Sequence, residues 1–220
     1  MKHIYCISGF GADERVFSKL TFTGYETHFI NWHTPEKNED ITTYAKKLIK
    51  NIHHNNPVLI GLSFGGMMCI EIARLIPVEK IIIISSVRSF KEIPLWMRIA
   101  GKLKLNKIFP VRSFKLIEPL ENYNLGIETR EEKEMVELYR KNINPQYSNW
   151  AVDTILNWNN TWIPQNLFHI HGDRDRIFPV TKVKPDYVVS SGGHLMVMNR
   201  FDMVNKYINL ILENSVSKAG

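Results

Sequence analysis

The chain has 220 residues, 44% of them hydrophobic, and a formal net charge of +6 at pH 7; that is enough for one large core over 1–220 and little more. No uninterrupted apolar stretch is long enough to span a bilayer, and Met1 to Ser8 runs only a few apolar residues before Gly9, too few for a secretory signal. The balance excludes a membrane-spanning or disordered chain and points to a cytoplasmic protein, in which Cys6 and Cys69 are buried small hydrophobes rather than a disulfide and the sequon at Asn159 carries no meaning.

Taken in chain order, strands and helices alternate through the first third. His3 to Ile7 reads as a strand, Ala12 to Leu20 as a helix, Tyr25 to Trp32 as a strand and Ile41 to His53 as a helix. Val58 to Leu62 is the next strand, Phe64 to Ile76 a helix, and Lys80 to Ser85 a strand. Such alternation predicts a parallel sheet with right-handed crossovers. Ile81 to Ile84 is apolar on both faces, as a strand covered by helices on both sides requires. The helix from Phe64 carries only Glu71 and Arg74 as charges, so it is expected at the centre of the fold.

From about Val87 to Trp162 the alternation stops and only helices are predicted. Pro94 opens one with Leu95, Ile99 and Leu103 four apart; Pro110 opens another piece, Glu128 to Lys141 makes a third and Pro145 to Trp158 a fourth. A strand from Leu167 then runs into the polar loop Gly172-Asp173-Arg174-Asp175, and a further strand ends in Ser190-Ser191-Gly192-Gly193-His194. The closing helix, from about Met196 to Glu213, places Phe201, Val204, Tyr207, Ile208, Ile211 and Leu212 on one face.

The most informative segment is Gly61-Leu62-Ser63-Phe64-Gly65-Gly66, between an apolar strand and an apolar helix. A turn this sharp strains the serine backbone, and side chains on its neighbours would collide with strand or helix; glycines remove those collisions. A hydroxyl needs a base to become a nucleophile, and the base needs an orienting acid. Both are available downstream, in the order serine, acid, histidine.

With these motifs the chain resembles the α/β-hydrolases over nearly its full length. The resemblance implies Ser63 as nucleophile, Asp175 as acid from Gly172-Asp173-Arg174-Asp175, and His194 as base from Gly193-His194. Asp173 is expected to shape the turn. Ile7-Ser8-Gly9-Phe10-Gly11 matches the family's oxyanion loop, with the backbone N–H groups of Phe10 and Phe64 as donors. Many members have His-Gly where this chain has Ser8-Gly9, a departure that bears on the loop's local hydrogen bonding and not on the donor. Members also begin with two additional strands for which there is no room before residue 8, so the expected fold is trimmed, with about six mostly parallel strands and helices on both faces. The resemblance makes 87–162 a helical lid lining the substrate pocket, with Trp96, Met97, Phe109, Phe114, Trp150 and Ile155 as candidates. No cofactor and no metal are implied.

The predicted lid is electrically divided. Arg88 to Lys115 holds eight Lys or Arg against Glu92, and Glu118 to Glu137 holds seven glutamates against Arg130 and Lys133. The basic part could dock an acidic carrier protein; the simpler reading is that basic and acidic helices balance each other. No recognition motif for nucleic acid accompanies the charge, and a membrane-surface role for Leu95 to Leu105 is the weaker reading. His53-His54 and the pair His169 and His171 read as structural, since no set of metal ligands at known spacing includes them.

Function follows from the implied triad. The first expectation is a cofactor-free serine hydrolase acting on a small or medium carboxylic ester or thioester through an acyl-enzyme. A serine at the elbow argues against relatives that use an aspartate there, because an alkyl-enzyme ester needs a carboxylate. A C–C bond hydrolase or lyase using the same triad is the alternative, and a non-catalytic ligand-binding protein on the same scaffold is the third reading.

Overall fold

The alternating first part folds as four strands, two more follow the helical stretch, and every pairing between the six is parallel. In the computed structural model, which describes residues 1–108 and 118–213, β1 (Lys2–Ile7), β2 (Tyr25–Ile30), β3 (Val58–Leu62), β4 (Lys80–Ile84), β5 (Leu167–Gly172) and β6 (Tyr187–Val189) form one sheet in the order β2-β1-β3-β4-β5-β6. The chain starts inside the sheet, steps to one edge, then returns past β1 to build the other side. Register aligns the strand ends: Ile7 lies beside Gly61, Leu62 beside Ile84 and Gly172 beside Val189. The loops leaving β1, β3 and β5 therefore emerge along one rim, where open parallel sheets bind ligands.

Side-chain alternation divides the core in two. Tyr5, Ile7, Leu59, Ile81 and Ile83 face one layer with α1 (Ile41–Ile49) and α2 (Phe64–Ala73). Ile4, Cys6, Ile60, Ile82 and Ile84 face the other, covered by α9 (Phe201–Glu213) through Val204, Ile208 and Ile211. All residues of α2 from Phe64 to Ile72 are buried; Glu71 is tolerated there because its carboxylate accepts a 2.8 Å bond from the Trp158 indole N–H. Both cysteines are buried and unpaired.

Between β4 and β5 lies an all-helical insertion: α3 (Leu95–Lys102), α4 (Leu105–Ile108), α5 (Glu118–Leu125), α6 (Arg130–Asn142) and α7 (Pro145–Asn157). Thr129 and Glu132 form a capping box that starts α6, and Asn144 caps α7 ahead of Pro145. The piece expected to open at Pro110 lies outside the described residues. Among the described residues no ion pair joins Arg88–Lys104 to the glutamates of 118–137; those pair instead with Lys19, Arg130, Lys133, Arg140 and Arg200.

Two expectations are corrected. The helix read over Ala12–Leu20 is only one 3-10 turn, Glu14–Phe17: Asp13 is extended and caps it, its carboxylate accepting from the Arg15 N–H at 3.0 Å and pairing with the Arg15 guanidinium, so the turn starts after Asp13 and ends at Ser18. The closing helix is interrupted: α8 (Met196–Asn199) ends at Arg200, whose φ of −130° and ψ of 28° leave the helical region while its guanidinium pairs with Glu128 on the insertion at 2.8 Å. Among the described residues no helix is long and apolar enough to cross a membrane.

Candidate active site

Ser63 joins β3 to α2 with φ 51° and ψ −117°, a backbone that a non-glycine residue keeps only under compulsion. The compulsion is visible. Its N–H donates to Ile84 O at 2.9 Å, and its own carbonyl accepts from the Gly66 N–H at 2.9 Å and the Ser86 hydroxyl at 2.6 Å. Gly65 cannot carry a side chain, since a Cβ there would lie 2.1 Å from Ile7 O; at Gly61 it would lie 2.4 Å from Gly65 O.

The loop after β6 brings His194 to this serine. Nε2 of His194 lies 2.9 Å from Ser63 Oγ, and Nδ1 lies 2.8 Å from Asp175 Oδ2. In the neutral tautomer that this pairing favours, Nδ1–H donates to the carboxylate and Nε2 accepts from the serine hydroxyl. Both His194 and Asp175 are 4% exposed. Asp175 is further fixed through Oδ1, which accepts from the N–H groups of Ile177 at 2.8 Å and Phe178 at 2.9 Å. Burial works to raise the carboxyl pKa, but the facing His194, His171 and the Phe178 N–H outweigh it and hold the group below its ordinary value.

Behind the acid stand two buried histidines of β5. His171 Nε2 donates to Phe178 O at 2.7 Å and lies 3.5 Å from Asp175 Oδ2, while its Nδ1 sits 3.0 Å from His169 Nε2. Burial holds His171 below its ordinary pKa, so it braces the acid loop as a neutral ring. Asp173 differs from expectation: its side chain is exposed, and its backbone N–H, not its carboxylate, secures the turn by bonding Val189 O at 3.2 Å. The acid and histidine loops meet where a Cβ on Gly172 would strike Gly192 O at 2.1 Å.

The loop after β1 closes on the serine from the other side. A Cβ on Gly9 would touch Ser63 Cβ at 3.4 Å, and among the described residues the N–H groups of Phe10 and Phe64 meet no acceptor. Phe64 opens α2, where an N–H has no helical partner. The departure at Ser8 is accommodated: its hydroxyl donates to Ala12 O at 2.7 Å and accepts from the Trp32 indole N–H at 3.1 Å, which anchors the loop.

A cleft of about 350 Å³ adjoins Phe10, Ile177 and Leu195, and the insertion supplies its wall through Leu125, Val136 and Ile143. Leu195 N–H bonds Leu125 O at 3.0 Å, tying the insertion to the histidine loop. Arg140 also lines the cleft; its guanidinium holds Glu121 at 3.1 Å and Asn122 at 2.7 Å, while Nη1 is buried without a partner among the described residues. A larger groove of about 940 Å³ runs between residues 35–41 and α7; neither space is lined by Ser63, Asp175 or His194, but the smaller one is reached by Phe10 of the loop after β1 and by Leu195, next to His194.

Of the four pocket candidates among the described residues, none lines the smaller cleft. Trp96 is 67% exposed, Met97 is buried in the α1–α2 core and Ile155 packs against that core. Trp150 donates to Glu39 O at 2.7 Å and lines the larger groove. Phe109 and Phe114 lie outside the described residues. The aliphatic wall carries one faint signal in the sequence, the helical spacing of Val136, Tyr139 and Ile143.

No protein-family model and no curated protein sequence matches the chain. Among solved structures it is similar to a thermophilic esterase from Thermogutta terrifontis, with 14% identity over 96% of this chain and 89% of that one and a TM-score of 0.75. A bromoperoxidase from Bacillus anthracis gives 15% identity, 97% and 92% coverage and a TM-score of 0.73. A meta-cleavage product hydrolase from Pseudomonas fluorescens IP01 gives 14%, 96% and 90%, and 0.68. At these identities the likeness speaks for the fold.

Proposed function

We propose, from an α/β-hydrolase fold that sets a strained serine at the rim of its parallel sheet, that the protein is a serine hydrolase of small or medium carboxylic esters or thioesters. The observation that carries this reading is the unbroken hydrogen-bond chain from Asp175 through His194 to Ser63, with two unspent backbone N–H groups beside it. Ser63 Oγ attacks the acyl carbon while His194 Nε2 takes the hydroxyl proton, and the Phe10 and Phe64 N–H groups stabilise the oxyanion. Collapse expels the alcohol or thiol, which takes that proton from His194. Water then repeats the sequence on the acyl-enzyme, releasing the acid and restoring Ser63. Asp175 holds the tautomer and stabilises the imidazolium throughout.

The apolar cleft suits a short or medium acyl chain, and the insertion between β4 and β5 acts as its lid. Unpaired, buried Cys6 and Cys69 favour a reducing compartment such as the cytoplasm. Labelling by a fluorophosphonate, followed by turnover of p-nitrophenyl esters of increasing chain length, tests the reading; absence of both in folded protein overturns it. The meta-cleavage hydrolase among the structural neighbours supports a second reading, C–C bond hydrolysis by the same residues. Labelling of Ser63 without ester turnover would favour it.

A further inference from the structure

Three histidines far apart in sequence converge at the edge of the sheet. His3 pairs with Glu26 and Tyr5 with His28 in the parallel register of β1 and β2, and side chains two apart share a face. His3, Tyr5, Glu26 and His28 therefore project together, and the turn after α1 lays His54 over them. His3 Nδ1 is 3.1 Å from His28 Nε2, and the Glu26 carboxylate approaches these same atoms at 3.5 and 3.9 Å. One ring nitrogen from each of the three histidines lies within 4.8 Å of the others.

We propose that His3, His28 and His54, with Glu26 as a fourth ligand, bind a divalent metal ion of the Zn²⁺ class that clasps the edge strand β2 to β1 and to the turn after α1. Imidazole nitrogens about 2.0–2.1 Å from a tetrahedral zinc stand about 3.3 Å apart; His3 Nδ1 and His28 Nε2 are already near that spacing at 3.1 Å, and the Glu26 carboxylate, at 3.5 and 3.9 Å through its two oxygens, turns one of them in to complete the set. Three neutral imidazoles and one carboxylate match this ion in donor type and reduce its charge to +1. The neighbouring cation is committed elsewhere, since Lys2 pairs with Glu79 at 2.7 Å.

The site also has an outer support. Tyr5 OH lies 2.7 Å from His54 Nδ1 and accepts from the His53 N–H at 3.0 Å, which orients the His54 ring and leaves Nε2 for the metal. His54 now stacks on His3, with centroids 3.4 Å apart and planes 7° apart, so binding tilts one ring out of the stack. His3 and His28 side chains are 19% and 26% exposed, open enough for an ion to enter. This cluster sits at the strand ends opposite Ser63, which makes it a structural clasp independent of the hydrolase reading.

The test uses untagged full chain stripped with EDTA and titrated with Co²⁺. The expected result is an intense visible absorption of tetrahedral Co²⁺ that saturates at one ion per chain, is bleached by Zn²⁺, and accompanies a rise in Tm. His28→Ala should weaken binding by more than about tenfold, and His54→Asn, on an exposed turn, does the same if the strand variant fails to fold. His33→Asn, outside the cluster, should leave the spectrum unchanged. No tetrahedral spectrum at millimolar Co²⁺, or undiminished binding in His54→Asn, overturns the proposal whatever the esterase assay reads.

Discussion

At the scale of single residues, Ser63 carries a strain that its hydroxyl does not relieve, because the turn is held by backbone bonds to Ile84, Gly66 and Ser86. Ser63→Ala is therefore expected to fold with an unchanged Tm and to lose ester turnover by three orders of magnitude or more; a folded variant with wild-type rate sinks the assignment. Asp175 and Asp173 separate cleanly. Asp175→Asn should lower kcat by about four orders of magnitude through the wrong His194 tautomer and also lower Tm, since it disturbs the acceptor for Ile177 and Phe178. Asp173→Asn, exposed and bonded only through its backbone, should change stability by less than about 0.5 kcal/mol and leave kcat alone. Ser63, Asp175 and His194 could be picked from the sequence because the motifs fix both residue type and chain order. Leu125, Val136 and Ile143 could not, since any aliphatic serves a cleft wall and only the packing of α5 and α6 selects these.

Among the elements, the elbow between β3 and α2 makes the firmest demand. Gly65→Ala would drive a Cβ into Ile7 O, and urea denaturation should register a loss of at least about 2 kcal/mol; an unaffected midpoint would mean that β1 and α2 can separate. Helix α3 of the insertion tests the partner question. Arg98 lies over the Phe90 ring at 5.0 Å and Lys102 is exposed, and neither pairs with the glutamates of α5 and α6. If this face docks an acidic carrier or steers an anionic ester, Arg98→Gln with Lys102→Gln raises KM for the anionic substrate and flattens its salt dependence, with neutral esters unaffected. Equal salt slopes for both esters in wild type retire the docking idea. Strands proved easier to read than helix ends: Ile81 to Ile84 is apolar on both faces, whereas the break falls at Arg200, whose guanidinium meets Glu128, distant in sequence. The His3, His28 and His54 cluster stayed hidden for the same reason, because it exists only once β1 and β2 are in register.

For the molecule as a whole, two buried groups tie stability to pH with the same sign. His171 and Asp175 both have folded pKa values held below their unfolded ones, so the unfolded chain binds protons more readily and acid favours it. His171 gives its full contribution above about pH 6.5 and loses it as pH falls through the folded value; Asp175 does so below about pH 3.9. Thermal melts from pH 8 to 5 should show Tm falling on acidification, with a shallower slope in His171→Gln; parallel slopes would show that His171 does not take part. The long loop closure between Ser63 and His194, 131 residues apart, bears on synthesis as well as on folding. A ribosome must make β5, β6 and the loop beyond them before the serine meets its base, and β5 cannot take its place beside β4 until the entire insertion has been translated. A nascent chain can thus display a finished elbow while Ser63 still lacks its histidine, so the proposed hydrolase would stay silent until β5, β6 and the loop beyond them are in place.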